Sequence, residues 1–172
     1  NTGTLWHHGR DPKWSEMEYQ LRNWLYFTWL SGDFNVEQHV HSLDKAAWAM
    51  KDEPPAKATA LGGRQVRVEE QWGNIYDHFA VVYEYANGVK LFAQCRQMGG
   101  CSVDVSDHLI GTNGSAEIMK AEIEGPNEWR YRGEKPNMYE EEHRELFASI
   151  RAGAPINNGD YMAKSTLLAI IG

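Results

Sequence analysis

The segment from residue 78 to residue 96 constrains the fold of this chain more than any other. Residues 78–85 and 89–96 alternate apolar and polar side chains, which is the period of a half-buried β-strand. Asn87-Gly88 lies between them and is typical of the type I′ turn that joins two antiparallel strands. Further short runs have the composition of β-strands and are separated by turn residues, so the middle of the chain is predicted to form an antiparallel sheet. The other predicted strands are 56–61, 64–70, 102–111, 116–124 and 128–132.

Helical patterns flank these strands on both sides. Residues 15–30 and 35–50 precede them, and residues 138–152 and a last segment that opens at Asp160 follow them. This order indicates an α+β fold, an open and mainly antiparallel sheet of about six or more strands with helices on one face. We expect residues 1–172 to be one domain of a longer polypeptide, because the final helical pattern breaks off within an apolar run.

A row of ionisable side chains marks the helix predicted at residues 35–50. Glu37, His41 and Asp44 fall at positions i, i+4 and i+7, beside an apolar stripe of Val36, Val40, Leu43 and Ala47. Groups placed at the edge of a buried face can share a proton and have shifted pKa values. The spacing therefore predicts a general acid/base at His41, with Glu37 and Asp44 beside it. The alternative is the solvated flank of an ordinary amphipathic helix.

His39 has two readings. On a regular helix it lies about 200° around the axis from His41 and points away from it. In an extended segment His39, His41 and Glu37 would share one face and could hold a divalent metal ion. We predict no metal site, and the extended alternative stays open. Among the aromatic residues of the first helix, Tyr26 could line a sugar pocket, although core packing is the competing interpretation.

Several motifs together resemble the C-terminal domain of the glucose–fructose oxidoreductase/inositol dehydrogenase (Gfo/Idh/MocA) family, over nearly the whole chain. The motifs are Gly32…Glu37-x-x-x-His41-x-x-Asp44, the strand segment 76–89, Gly111-Thr112-Asn113-Gly114-Ser115-Ala116, and Glu142-His143-x-x-Leu146-Phe147-x-x-Ile150-x-x-Gly153-x-Pro155. In that family a preceding Rossmann domain binds NAD or NADP. The domain resembled here supplies an open sheet, part of the substrate pocket and the oligomer interface.

The resemblance implies roles for individual residues. His41 matches the proton-transfer histidine, Asp44 matches an acidic residue three positions later, and Glu37 stands where the family has aspartate. The implied substrate is a sugar, glycoside or cyclic polyol, and hydride would pass between a substrate carbon and a nicotinamide held by the preceding domain. His7, His8 and Arg10 lie in a loop that would approach the pocket, and they suit polyol hydroxyls or a carboxylate. Tyr26 and His39 complete the predicted substrate-binding set.

Other classes of function fit the sequence poorly. The formal net charge of −7, without a basic run interleaved with aromatics, argues against nucleic acid and anionic membrane surfaces. No apolar stretch approaches the ~20 residues of a membrane-spanning helix. The sequence has no GxGxxG, so we predict no cofactor-binding residues in this chain and expect it to be inactive alone.

Three questions stay open at this level. The same scaffold could serve a cofactor-recycling glycoside lyase or hydrolase, or a non-catalytic module for sugar binding or assembly. A cytoplasmic location is favoured, without excluding export. Because strand 78–85 carries apolar side chains on both faces, we expect a homo-dimer or homo-tetramer that buries the open face of the sheet.

Overall fold

The computed structural model describes residues 5–172, which form two compact units. The first contains residues 5–105 and 161–172, and the second is Ser106–Asp160. Helices and antiparallel strands are both present, which confirms the predicted α+β class. The helices are α1 Glu16–Arg22, α2 Thr28–Ser31, α3 Phe34–Glu37, α4 Val40–Ala49, α5 Met138–Ala152 and α6 Gly159–Ile171. The strands are β1 Lys57–Gly63, β2 His78–Glu84, β3 Lys90–Arg96, β4 His108–Gly111, β5 Gly114–Glu117, β6 Glu122–Glu124 and β7 Trp129–Arg130.

The core of the first unit lies between a three-stranded sheet and two helices. Strand β2 is central and pairs antiparallel with β1 and β3, so that Val81 aligns with Ala60 and Ala93. Helices α4 and α6 pack on one face of this sheet, as predicted. The buried side chains of this core are Leu43, Ala47, Val81, Tyr83, Tyr85, Ala93, Leu168 and Ala169.

The β2–β3 hairpin is confirmed, but its turn is not of type I′. That turn needs a positive φ at both central residues, and here Gly88 has φ 85° whereas Asn87 is not left-handed. Tyr85 N–H donates to Val89 O, and Gly88 N–H donates back to Tyr85 O. The connection is therefore a longer loop in which only Gly88 takes the left-handed conformation.

The strands form two sheets, which corrects the prediction of one open sheet of six or more strands. In the second unit β4, β5, β6 and β7 pair in sequence order. The predicted strand 116–124 is interrupted by a 3₁₀ turn at Ile118–Lys120, and Ala121 with φ 55° reverses the chain into β6. No residue between 106 and 160 is buried. Among residues 5–172, no helix combines the length and the apolar character needed to cross a membrane.

The strand predicted at 64–70 is a loop, and the buried carboxylate of Asp77 explains why. Asp77 Oδ2 accepts the backbone N–H groups of Gln65, Val66 and Arg67 at 2.7, 2.6 and 3.0 Å. Donors that converge on one oxygen cannot pair with a neighbouring strand. Val66 and Val68 are both exposed, so their alternation with polar residues does not mark the buried face of a strand.

Candidate functional site

The sequence predicted one continuous helix for the segment that carries Glu37, His41 and Asp44, but the structure divides this segment into two helices. Helix α3 ends at Glu37, and α4 begins at Val40. At the break His39 N–H donates to Phe34 O, five residues back, and His41 N–H donates to Gln38 O, three residues back. The predicted apolar stripe still faces the core, because Leu43 and Ala47 are buried and Val36 and Val40 pack against them.

The carboxylates of Glu37 and Asp44, which precede and follow His41 in the sequence, each have a buried oxygen without a hydrogen-bond donor. These atoms are Glu37 Oε2 and Asp44 Oδ1. Burial raises the pKa of Glu37, and the charge of His41 opposes that shift. The His41 side chain itself is exposed. A buried carboxylate oxygen without a donor is costly, so each of these two atoms marks a hydrogen bond that the protein itself leaves unmade.

The start of α3 is fixed by two residues with left-handed backbone. Gly32 has φ 70°, and Asp33 combines φ 70° with ψ 166°, a conformation that is costly for a residue with a side chain. The Asp33 carboxylate accepts the N–H groups of Phe34 at 2.6 Å and Tyr76 at 2.8 Å. Burial raises the pKa of Asp33, which these hydrogen bonds oppose. Asp33 thus ties the helix that carries Glu37 to the segment before β2.

A pair of amides fixes the α3–α4 turn. Gln97, which follows β3, is buried and donates through Nε2 to Gln38 Oε1 at 2.7 Å. Its own backbone N–H donates to Asp77 O, which anchors it at the end of the sheet. The amide of Gln97 therefore connects β3 to the turn between Glu37 and His41. Gln97 was not predicted from the sequence, because no local pattern marks it.

His39 lies in the same turn, where its Nδ1 is 3.0 Å from Asn35 Oδ1. Asn35 is buried, and it was also missed by the sequence analysis. The available signal was its position four residues before His39, a spacing at which helical side chains meet. The structure places His39 partly buried at the N-terminal end of α4.

The predicted substrate-binding residues near the N-terminus have mixed surroundings. His7 packs against Tyr26 and Trp72, with Nε2 at 3.1 Å from Gln71 O. Arg10 donates to Glu16 at 2.7 Å and lies over the Tyr19 ring. His8 is exposed, and its backbone N–H and C=O are both bonded to the Asn23 amide.

Tyr26 is a core residue, which corrects its assignment to the substrate pocket. Its side chain is fully buried, and its hydroxyl donates to Leu5 O at 2.6 Å and accepts from Leu5 N–H at 3.1 Å. Both hydrogen-bonding functions of the hydroxyl are therefore occupied. Among residues 5–172, no group of three or more His, Cys, Asp or Glu side chains is arranged to hold a metal ion.

Comparisons with known proteins bear on the fold. No family model matches the sequence, and no curated protein matches it. Several solved structures, in contrast, are similar to this chain. An aldose–aldose oxidoreductase from Caulobacter crescentus, complexed with glycerol, is 19% identical with a TM-score of 0.66, covering 94% of this chain and 48% of its own. An oxidoreductase from Thermotoga maritima is 18% identical with a TM-score of 0.63, covering 95% of this chain and 47% of its own.

A third similar structure is GenD2 from gentamicin A biosynthesis, in complex with NAD. It is 16% identical with a TM-score of 0.58, and the match covers 87% of this chain and 47% of that one. This chain therefore spans about half the length of the structures that it matches. At such low identity the likeness establishes the fold, which is the fold that the resemblance to Gfo/Idh/MocA oxidoreductases predicted.

Proposed function

We propose that this chain is the substrate-binding and oligomerisation part of an NAD(P)-dependent oxidoreductase of the Gfo/Idh/MocA family. Its substrate is a sugar, glycoside or cyclic polyol. The observation that carries the proposal is the pair of buried, donor-free carboxylate oxygens of Glu37 and Asp44 on either side of His41 in the sequence. Polyols present several hydroxyl donors, which such oxygens accept.

Each of these residues has a role in the proposed reaction. His41 takes the proton from the substrate hydroxyl that is oxidised, or returns it in the reverse direction. Glu37 and Asp44 accept hydrogen bonds from the substrate and stabilise the imidazolium that forms. His8 and His39 contact other hydroxyl groups. His7 and Arg10 keep the loop in place through their protein contacts, and they join the substrate site only at its edge.

The cofactor is NAD or NADP, and this chain's residues do not fit it. The sequence has no GxGxxG, and the two sheets described are antiparallel without a βαβ unit. A preceding domain would bind most of the cofactor. The exposed apolar face of the β1–β3 sheet is the proposed interface of a homo-dimer or homo-tetramer.

The proposal is tested with the full-length protein, myo-inositol and D-glucose as a cyclic polyol and an aldose, and each cofactor in turn. We expect substrate-dependent formation of NADH or NADPH with at least one sugar. Binding of a sugar without any reduced cofactor would favour a non-catalytic binding module. Neither binding nor turnover with either sugar would contradict the substrate class.

A further inference from the structure

Two tryptophans lie against each other on the surface of the first unit. The rings of Trp6 and Trp24 are stacked, with centroids 5.7 Å apart and ring planes at 24°. Trp6 is 56% exposed and Trp24 is 36% exposed. One face of the Trp6 indole is therefore backed by Trp24, while its outer surface is open to solvent. Large apolar side chains that are exposed together are typical of an interaction surface.

Buried side chains hold the backbone on both sides of Trp6. The Tyr26 hydroxyl is bonded to both the N–H and the C=O of Leu5. The Asn23 amide, which is also buried, is bonded to both backbone groups of His8, at 2.7 and 3.2 Å. Residues 5 and 8 are thus both fixed to the interior of the unit, and Trp6 lies in the short segment between them.

The backbone of Trp6 has a conformation that bulky residues rarely adopt. Its φ is 49°, in the left-handed region that favours glycine. A residue with a side chain keeps such a conformation only when the surrounding contacts enforce it, and these conformations are concentrated at functional sites. Because the position of Trp6 is already fixed, a ligand that stacks on the ring does not have to order it.

Four charged side chains between Trp6 and Trp24 in the sequence neutralise one another in pairs. Arg10 pairs with Glu16 at 2.7 Å, and Arg22 pairs with Glu18 at 2.9 Å. Such pairing favours an uncharged ligand over an ion. All four side chains are exposed, so their polar atoms can also contact the hydroxyl groups of a ligand.

We propose that the stacked pair of Trp6 and Trp24 is a binding platform for an uncharged oligosaccharide, with one sugar ring lying on the outer face of Trp6. A pyranose ring presents a face of C–H groups that is similar in size to an indole. Stacking buries this apolar face, while the hydroxyl groups around the ring stay in contact with water and polar side chains. The inference goes beyond the proposed function, because binding at this surface involves neither a cofactor nor His41.

Titration calorimetry of the full-length protein with cellohexaose and with maltohexaose, two uncharged glucose oligomers, measures the binding. We expect saturable binding of at least one of them, and we expect Trp6→Gly to weaken it at least about tenfold. Glycine adopts a φ of 49° without strain, so this variant removes the ring while the loop keeps its path. Trp6→Tyr retains a flat ring and should bind more tightly than Trp6→Gly. Trp129→Ala, which removes an exposed tryptophan from the second unit, is the control and should bind normally.

Several results would overturn the inference. Binding of neither oligomer is one, and equal affinities of Trp6→Gly and the unsubstituted protein are another. A Trp6→Tyr variant that binds no better than Trp6→Gly would show that ring stacking is not the source of the affinity. An oligomer that Trp6→Gly converts into a monomer in sedimentation would show that the rings contact a second subunit instead. The Tm of each variant verifies folding, and calorimetry needs no turnover, so failure here is distinguishable from failure of the proposed function.

Discussion

Two carboxylate oxygens define the candidate site at the scale of single residues. Glu37 Oε2 and Asp44 Oδ1 are withdrawn from water and have no donor, whereas most buried polar atoms are hydrogen-bonded. Leaving such an atom unsatisfied costs about 1–3 kcal/mol. A substrate with hydroxyl groups would recover part of that cost on binding. Both unsatisfied oxygens belong to residues on either side of His41 in the sequence, and His41 is the residue proposed to transfer the proton.

A glutamine at position 37 should stabilise the protein near neutral pH while lowering activity. The pKa of Glu37 is raised in the folded state, so folding holds its proton more tightly than the unfolded chain does. The resulting stability is present below the unfolded pKa of about 4.3 and is lost as the pH rises through the folded pKa. Glu37→Gln, which carries no charge to bury, should therefore raise Tm at about pH 7, with a smaller gain toward about pH 4.

Thermal unfolding over this pH range measures the difference in Tm between Glu37→Gln and the unsubstituted protein. The exposed Glu53, replaced in the same way, is the matched control and should show no pH-dependent gain. A gain in Tm for Glu37→Gln that grows as the pH falls would contradict a raised pKa of Glu37 in the folded protein.

At the scale of elements, long-range side-chain bonds decide where the regular patterns stop. The hairpin of β2 and β3 and the helix α5 could be predicted from sequence, because alternation, turn residues and helical spacing are local signals. The break between α3 and α4 could not, since it involves the bond from Gln97, 59 positions away, to Gln38. The loop at 64–67 depends in the same way on Asp77, which lies beyond it in sequence.

In the candidate site, too, local sequence signals predict some features, whereas others depend on contacts between distant segments. Its ionisable residues could be selected from their spacing, but the helix break that positions them and the amides that orient them could not. Asn35 and Gln97 carry no charge and belong to no recognisable motif. Their importance comes from buried contacts between segments far apart in sequence.

Replacing Asp77 should release the loop at 64–67 and destabilise the first unit. Burial of this carboxylate opposes ionisation, but the hydrogen bonds from Val66, Arg67, Gln65 and His78 prevail and lower its pKa to about 2. Asp77→Ala leaves the backbone N–H groups of Gln65, Val66 and Arg67 without their acceptor. Because Arg67 is buried whereas Gln65 and Val66 are exposed, we expect a loss of about 1–3 kcal/mol in the free energy of unfolding. Urea denaturation at neutral pH measures it.

The pH dependence supplies a second criterion for Asp77. A lowered pKa contributes stability above the unfolded value of about 3.9, and this contribution is lost as the pH falls toward about 2. The difference between Asp77→Ala and the unsubstituted protein should therefore shrink in acid. Glu53→Ala, an exposed carboxylate, is the control. A loss below about 1 kcal/mol at neutral pH would show that the loop is held by other contacts.

At the scale of the whole molecule, the β1–β3 sheet has an open apolar face. Helices cover the side that carries Val81 and Tyr83, whereas Leu61 and Phe92 on the other side are 78% and 68% exposed. The register pairs Val82 with Phe92, so the apolar face predicted from β2 continues onto β3 through Phe92, and Leu91 lies on the covered side. Contiguous apolar surface of this kind is typical of a subunit interface.

A charge on the open face should separate the subunits. Phe92→Glu would bury an unpaired carboxylate in the proposed interface, which is strongly unfavourable. We expect the protein to sediment as a dimer or tetramer at micromolar concentration and Phe92→Glu to sediment as a monomer. Val103→Glu changes an equally exposed side chain outside the sheet and should leave the assembly intact. An unsubstituted protein that is monomeric would refute this interface.

The 172-residue chain should bind neither NAD nor NADP. It lacks the glycine-rich turn between a strand and a helix that holds the pyrophosphate in dinucleotide-binding folds. Titration calorimetry with millimolar cofactor should give no heat of binding, and the full-length protein is the positive control. Micromolar affinity in this chain would place the cofactor site within residues 1–172.

The turnover of the full-length enzyme with and without the His41 side chain shows whether this residue transfers the substrate proton. We expect His41→Ala to lower the rate of NADH or NADPH formation by about 10²–10⁴, the usual effect of removing a general acid/base. His108→Ala replaces another exposed histidine, on β4, and should retain full activity with an unchanged Tm. A rate for His41→Ala close to that of His108→Ala would rule out this role of His41, because the proton would then be transferred by another residue.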